Sequence, residues 1–136
     1  RQRRRVDRVK IALALLFLPA LLFGGEVMES SYALPDGKRV LRHDVLVAAP
    51  VEKVYEAMFG SASEIVAYVP NEMIAMRAAK DLRTVVQFIR IADPNTTRVR
   101  MSTLAFGIGA EWDEPYEGLR RENAERLRRL EEKFAK

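Results

Sequence analysis

The sequence predicts an α+β domain in which an antiparallel sheet packs on a long C-terminal helix. Three observations lead there. Between residues 40 and 106, short stretches rich in β-branched and aromatic residues are separated by turn signals. One short helical pattern, opened by Ala49-Pro50, interrupts them. The last segment, 111–136, repeats its apolar residues at helical spacing. Strands in hairpins followed by one terminal helix give this class, and 136 residues leave room for one domain.

The N-terminus is organised differently. Residues 1–10 are basic, residues 11–23 (IALALLFLPALLF) are uninterrupted apolar chain, and Gly24-Gly25-Glu26 ends the run. That is the order of a secretory signal. As a helix, a run of this length reaches only about 20 Å, against a hydrocarbon core of about 30 Å, and Pro19 weakens it further. Residues 1–25 are expected to act as a signal-like helix that exports the protein to the periplasm or outside the cell. If uncleaved, they would anchor it in the membrane, and no other membrane contact is expected. The first residue is Arg rather than Met, so a start upstream of Arg1 is expected.

The leader also explains the net charge of +4. Of 23 basic and 19 acidic residues, six and one fall in residues 1–25, leaving 17 and 18 in the remainder. A nucleic-acid binder would carry its basic excess on the folded module, so no nucleic-acid partner is expected. The absence of cysteine excludes disulfides, thiolate metal sites and a cysteine nucleophile.

Residues 26–39 read as a linker with a turn at Pro35-Asp36-Gly37. In 40–48, Leu41, His43, Val45 and Val47 alternate with Arg42, Asp44 and Leu46, the pattern of a strand with one apolar face. Val51, Val54, Tyr55 and Met58 then fall on one helical face, which Gly60-Ser61 ends. Segments 64–69 and 73–77 form a hairpin about Pro70-Asn71-Glu72, and 84–91 pairs with 97–106 across Asp93-Pro94-Asn95. The final helix carries the stripe Trp112, Tyr116, Leu119, Asn123, Leu127, Leu130 and Phe134. Its opposite face alternates Arg and Glu, as a solvated, salt-bridged face does. Pro115 is expected to interrupt the start of this helix.

Little catalytic chemistry is legible. His43 is the only histidine, and no second ligand type is spaced near it as a metal site requires. No nucleophile elbow or triad is visible. Gly107-x-Gly109 lacks the third glycine and the βαβ context of a dinucleotide loop and reads as a turn. Glu111, Asp113 and Glu114 suit the positive end of the helix dipole. No catalytic residue, metal or cofactor is expected. Asn123 is the informative polar residue, because a buried unpaired amide would cost roughly 1–3 kcal/mol. It must meet water, protein or a ligand.

Three stretches together resemble the SRPBCC (START-like, helix-grip) superfamily. VLRHDVLVAAPVEKVYEAM is similar to its opening strand, Ala-Pro junction and first helix. NEMIAMR resembles its middle hairpin. TTRVRMSTLAFGIGAEWDEPYEGLRRENAERLRRLEEKF resembles its last strand, Gly-x-Gly-x-Glu-Trp junction and gripped helix. The resemblance covers most of 29–136 and is closest to exported members like the Hsp-activator and polyketide-cyclase branches. It implies a curved sheet around the last helix, an apolar cavity between them, and a hydrophobic small molecule as ligand. Residues 40–136 would be this domain, and Trp112, Tyr116, Leu119, Asn123 and Leu127 the candidate ligand contacts.

The chain departs from the family in its middle. A second helix and two more strands usually follow the first helix, whereas here Gly60-Ser61-Ala62-Ser63 runs almost directly into a strand. Three readings follow: a non-catalytic binder of a hydrophobic molecule, a cyclase- or dehydratase-like enzyme using His43, Asn123 and Gln87, or a remnant with a collapsed cavity. The remnant would expose an apolar sheet edge and associate with itself or a partner.

Overall fold

The computed structural model describes residues 26–135, so the signal-like segment 1–25 lies outside the described residues. Seven strands, two α-helices and two 3-10 turns follow one another. The strands are β1 (Met28–Glu29), β2 (Tyr32–Ala33), β3 (Arg39–Val47), β4 (Ile65–Val69), β5 (Met73–Arg77), β6 (Arg83–Arg90) and β7 (Thr97–Leu104). Helix α1 (Val51–Ser61) sits between β3 and β4, and helix α2 (Asp113–Phe134) ends the domain. The sheet is antiparallel with order β1-β3-β7-β6-β5-β4, and β2 also pairs with β3. This is the α+β, helix-grip arrangement that the sequence predicts.

The strand alternation is realised in the register. Leu41, His43, Val45 and Val47 of β3 are buried opposite Thr103, Met101, Val99 and Thr97 of β7, which are buried too. The intervening Arg42, Asp44, Arg98 and Arg100 lie on the outer face, where Arg100 clasps Asp44 with bonds of 2.9 and 3.0 Å. Strand pleating, which sends successive side chains to opposite faces, thus separates core from solvent along both strands. Helix α1 buries Val51, Val54, Tyr55 and Met58 and packs against β6 and α2.

Helix α2 buries Leu119, Asn123, Leu127 and Leu130, the centre of its stripe. Leu127 and Leu130 join Val45, Val47, Val54 and Met58 in the main core, while Leu119 closes a smaller one with Leu41, Leu82 and Phe106. Burying two such clusters is the chief driving force available to a domain of this size.

Two features differ from the sequence reading. Residues 26–39 are not a free linker, because β1 and β2 bond to β3 at Met28↔Asp44, Glu29↔His43, Tyr32↔Val40 and Ala33↔Arg39. Two-residue strands are too short to show a period. Pro115 does not interrupt α2, which runs unbroken from Asp113. It is the third residue of the helix, in the first turn, where N–H groups have no intrahelical acceptor to lose.

Candidate ligand-binding hollow

The helix–sheet interface is mostly filled by side chains. Trp112 and Tyr116 pack against the Leu41, Leu82, Phe106 and Leu119 cluster, with Phe106 ring centroids 6.2 Å from Trp112 and 5.1 Å from Tyr116. Gly107 makes room for the indole, since a Cβ there would sit 2.7 Å from Trp112 Cε2. The Arg39 guanidinium lies 4.7 Å over the Tyr116 ring and also bonds Asp113 Oδ1 at 2.9 Å. Leu127 is fully buried in the main core.

Asn123 answers the question its position raises. It is 2 % exposed, and its Nδ2 donates to Thr103 Oγ1 at 2.8 Å. Thr103 Oγ1 lies 2.8 Å from Thr84 Oγ1, so a polar chain crosses from α2 to β7 and β6. Three buried polar side chains are satisfied together, as buried polar groups are in stable cores.

Concave space remains on one flank of α2. A hollow of about 280 Å³ is bordered by Met76, Thr84, Leu119, Asn123, Arg77 and Glu64, among others. A second, of about 390 Å³, lies between the helices and is lined by Ala57, Met58 and Ser61 of α1 and by Glu122, Arg126, Arg129, Leu130 and Lys133 of α2. Both share Glu122 and Arg126. Both border the short α1–β4 connection, through Ser61 in one and Ser63 and Glu64 in the other. The larger stands at the lower end of the range for small-molecule sites, about 300–1,000 Å³, and the smaller just below it.

Of the five ligand contacts expected from sequence, Leu119 and Asn123 line the smaller hollow, whereas Trp112, Tyr116 and Leu127 line neither. The sequence reading missed Met58, Met76, Thr84 and Arg126. A signal for the last existed: Glu122, Arg126, Arg129 and Lys133 recur at helical spacing beside the apolar stripe. They form a second stripe within the face read as solvated.

The remaining polar candidates do not gather there. His43 is 2 % exposed beneath α2, with Nε2 3.8 Å from Glu29 Oε1 and Nδ1 without a partner among the described residues. Burial pushes its pKa down, with Arg120 acting in the same sense, against the pull of Glu29 and Asp44. Gln87 is exposed, its Cα paired with that of Arg100 on the outer face of the sheet. Among the described residues no helix is long and apolar enough to cross a membrane.

No family model matches the chain, and no curated protein does. Among solved structures the chain is similar to CalU16 from Micromonospora echinospora, with a TM-score of 0.51 and 12% sequence identity, over 74% of this chain and 82% of that one. At that identity the likeness concerns the fold alone, an antiparallel sheet packed on a long C-terminal helix.

Proposed function

We propose that this is an exported, non-catalytic SRPBCC-like protein that holds a hydrophobic small molecule in the larger hollow beside α2. The observation that carries the reading is the apolar wall of Ala57, Met58 and Leu130 there, met by Arg126, which also borders the smaller hollow beside Thr84, Leu119 and Asn123. Apolar surface with a few polar groups is the usual composition of a small-molecule site. The α1–β4 connection, where the resembled family has extra helix and strands, borders this space, so the site is a trough instead of a closed cavity. Export rests on the basic and apolar order of residues 1–23. Equilibrium dialysis of radiolabelled decanoate against the full chain tests the reading. Saturable uptake that Ala57→Trp abolishes, by filling the larger hollow, is the expected result. Uptake that is non-saturable, or indifferent to Ala57→Trp, contradicts it.

One observation favours a second reading, self-association. Strand β4 ends the sheet, is free of charge along Ile65–Val69, and leaves Val66, Tyr68 and Val69 exposed, Tyr68 by 56%. Antiparallel pairing of two copies about Ala67 would set Ile65 against Val69 and Val66 against Tyr68, β-branched and aromatic pairs that suit a sheet. Such an edge is a template for pairing. Sedimentation should show a concentration-dependent dimer that Val66→Lys abolishes. A monomer at all concentrations excludes it.

A further inference from the structure

Arg126 belongs to both hollows and, among the described residues, has no carboxylate within 4.0 Å. Three other arginines of α2 are paired, and Arg121, which like Arg126 has no such partner among the described residues, is exposed and lines neither hollow. Arg120 bonds Glu29 and Glu117, Arg128 bonds Glu125 and Glu132, and Arg129 lies 3.5 Å from Glu125. The Arg126 Nη2 instead rests 3.9 Å from Met58 Sδ, a weak acceptor. The guanidinium is half-buried and faces a wall made apolar by Ala57, Met58 and Leu130.

The charge of the larger hollow points the same way. It is lined by three cations, Arg126, Arg129 and Lys133, and one carboxylate, Glu122. In the smaller hollow Arg77 and Glu64 offset each other at 4.0 Å. A half-buried guanidinium gains most from a planar acid that it can bind with two parallel N–H bonds. An apolar wall beside it favours an alkyl or aryl body.

Building on the binding reading above, we propose that the ligand is an amphiphile with one acidic headgroup, a carboxylate or a phosphate. Arg126 holds the headgroup, and the apolar part lies over Ala57, Met58 and Leu130. Arg129 and Lys133 supply the surrounding positive field, so affinity falls as salt rises.

The test is calorimetric titration of the full chain with decanoate, decyl phosphate and decanol at one chain length and two salt concentrations. Both acids, or one of them, should bind at least about tenfold more tightly than decanol, the size of a charge-assisted bond. A preference between the acids then names the headgroup. Arg126→Gln should bring the acids down to the level of decanol, while Arg126→Lys keeps part of the advantage. An unchanged melting temperature shows that the variants are folded. Equal binding of all three probes, or an acid preference that survives Arg126→Gln, overturns the headgroup assignment and leaves the binding reading standing. Absence of saturable binding by all three overturns both.

Discussion

Asn123 of the last helix gives its amide hydrogen to Thr103 of the last strand at 2.8 Å. This bond ties the gripped helix to the centre of the sheet at one polar point in an apolar seam. Thr103 in turn lies 2.8 Å from Thr84, at the border of the smaller hollow. The bond therefore positions the helix and also places polar groups beside the open space.

Removing the amide should be costly for that reason. Asn123→Ala is expected to destabilise by roughly 1–3 kcal/mol, the range for breaking a buried hydrogen bond. Thr103→Val should cost a similar amount, and the double variant less than the sum, because the two residues share one interaction. Urea unfolding of the four proteins measures the coupling. Strict additivity would mean that the bond contributes nothing.

Leu127 tests the grip itself. It is fully buried in the main core, and Leu127→Ala should cost roughly 2–5 kcal/mol. That is a large part of the stability of a domain of this size. An unchanged melting temperature would show that the helix is not packed on the sheet.

Tyr55 predicts the opposite sign. Its hydroxyl is buried without a partner among the described residues, and burial, with the nearby Tyr68, pushes its pKa up. Its ring is held by Phe88 and Phe59, with centroids 5.2 and 5.7 Å away. Tyr55→Phe keeps the ring contacts and removes an unsatisfied group, so stability should be unchanged or slightly higher. A clear loss in thermal unfolding would reveal a bond to that hydroxyl.

His43 sets a pH dependence. Its folded pKa is lowered, mainly by burial, while in the unfolded chain it titrates near ~6.5. Below that value the unfolded chain binds the proton more readily, so stability is complete above about pH 6.5 and declines as pH falls towards the folded pKa. Glu29 adds a separate decline below the ordinary carboxylate range: burial works to raise its pKa, but bonds from Arg120 and Ser31 and the charges of Arg120 and His43 lower it overall. His43→Gln should flatten the melting-temperature profile between pH 7 and 5. An identical slope in the variant would assign the dependence elsewhere.

Most of the architecture could be read from the chain because its signals are local. Alternation in 40–48 and 97–106 and the 3.6-residue stripe from Leu119 to Leu130 each report which face meets the core. Strands β1 and β2 were illegible because their order comes from β3, not from their own two residues. The hollow was only half legible for a related reason. Leu119 and Asn123 lie on the stripe, but Met58, Met76 and Thr84 reach the space from three other elements. Arg126 looks like its paired neighbours in sequence and differs only in lacking a carboxylate in space.

Amide-resolved NMR of the full chain during a decanoate titration decides whether the space beside α2 is a binding site. Saturable shifts confined to the amides of Ala57, Met58, Ser61, Glu122, Asn123 and Arg126, and to the strands facing them at Met76 and Thr84, are the predicted result. Shifts scattered over the surface, or centred on the exposed β4 edge with the hollow silent, would contradict the claim.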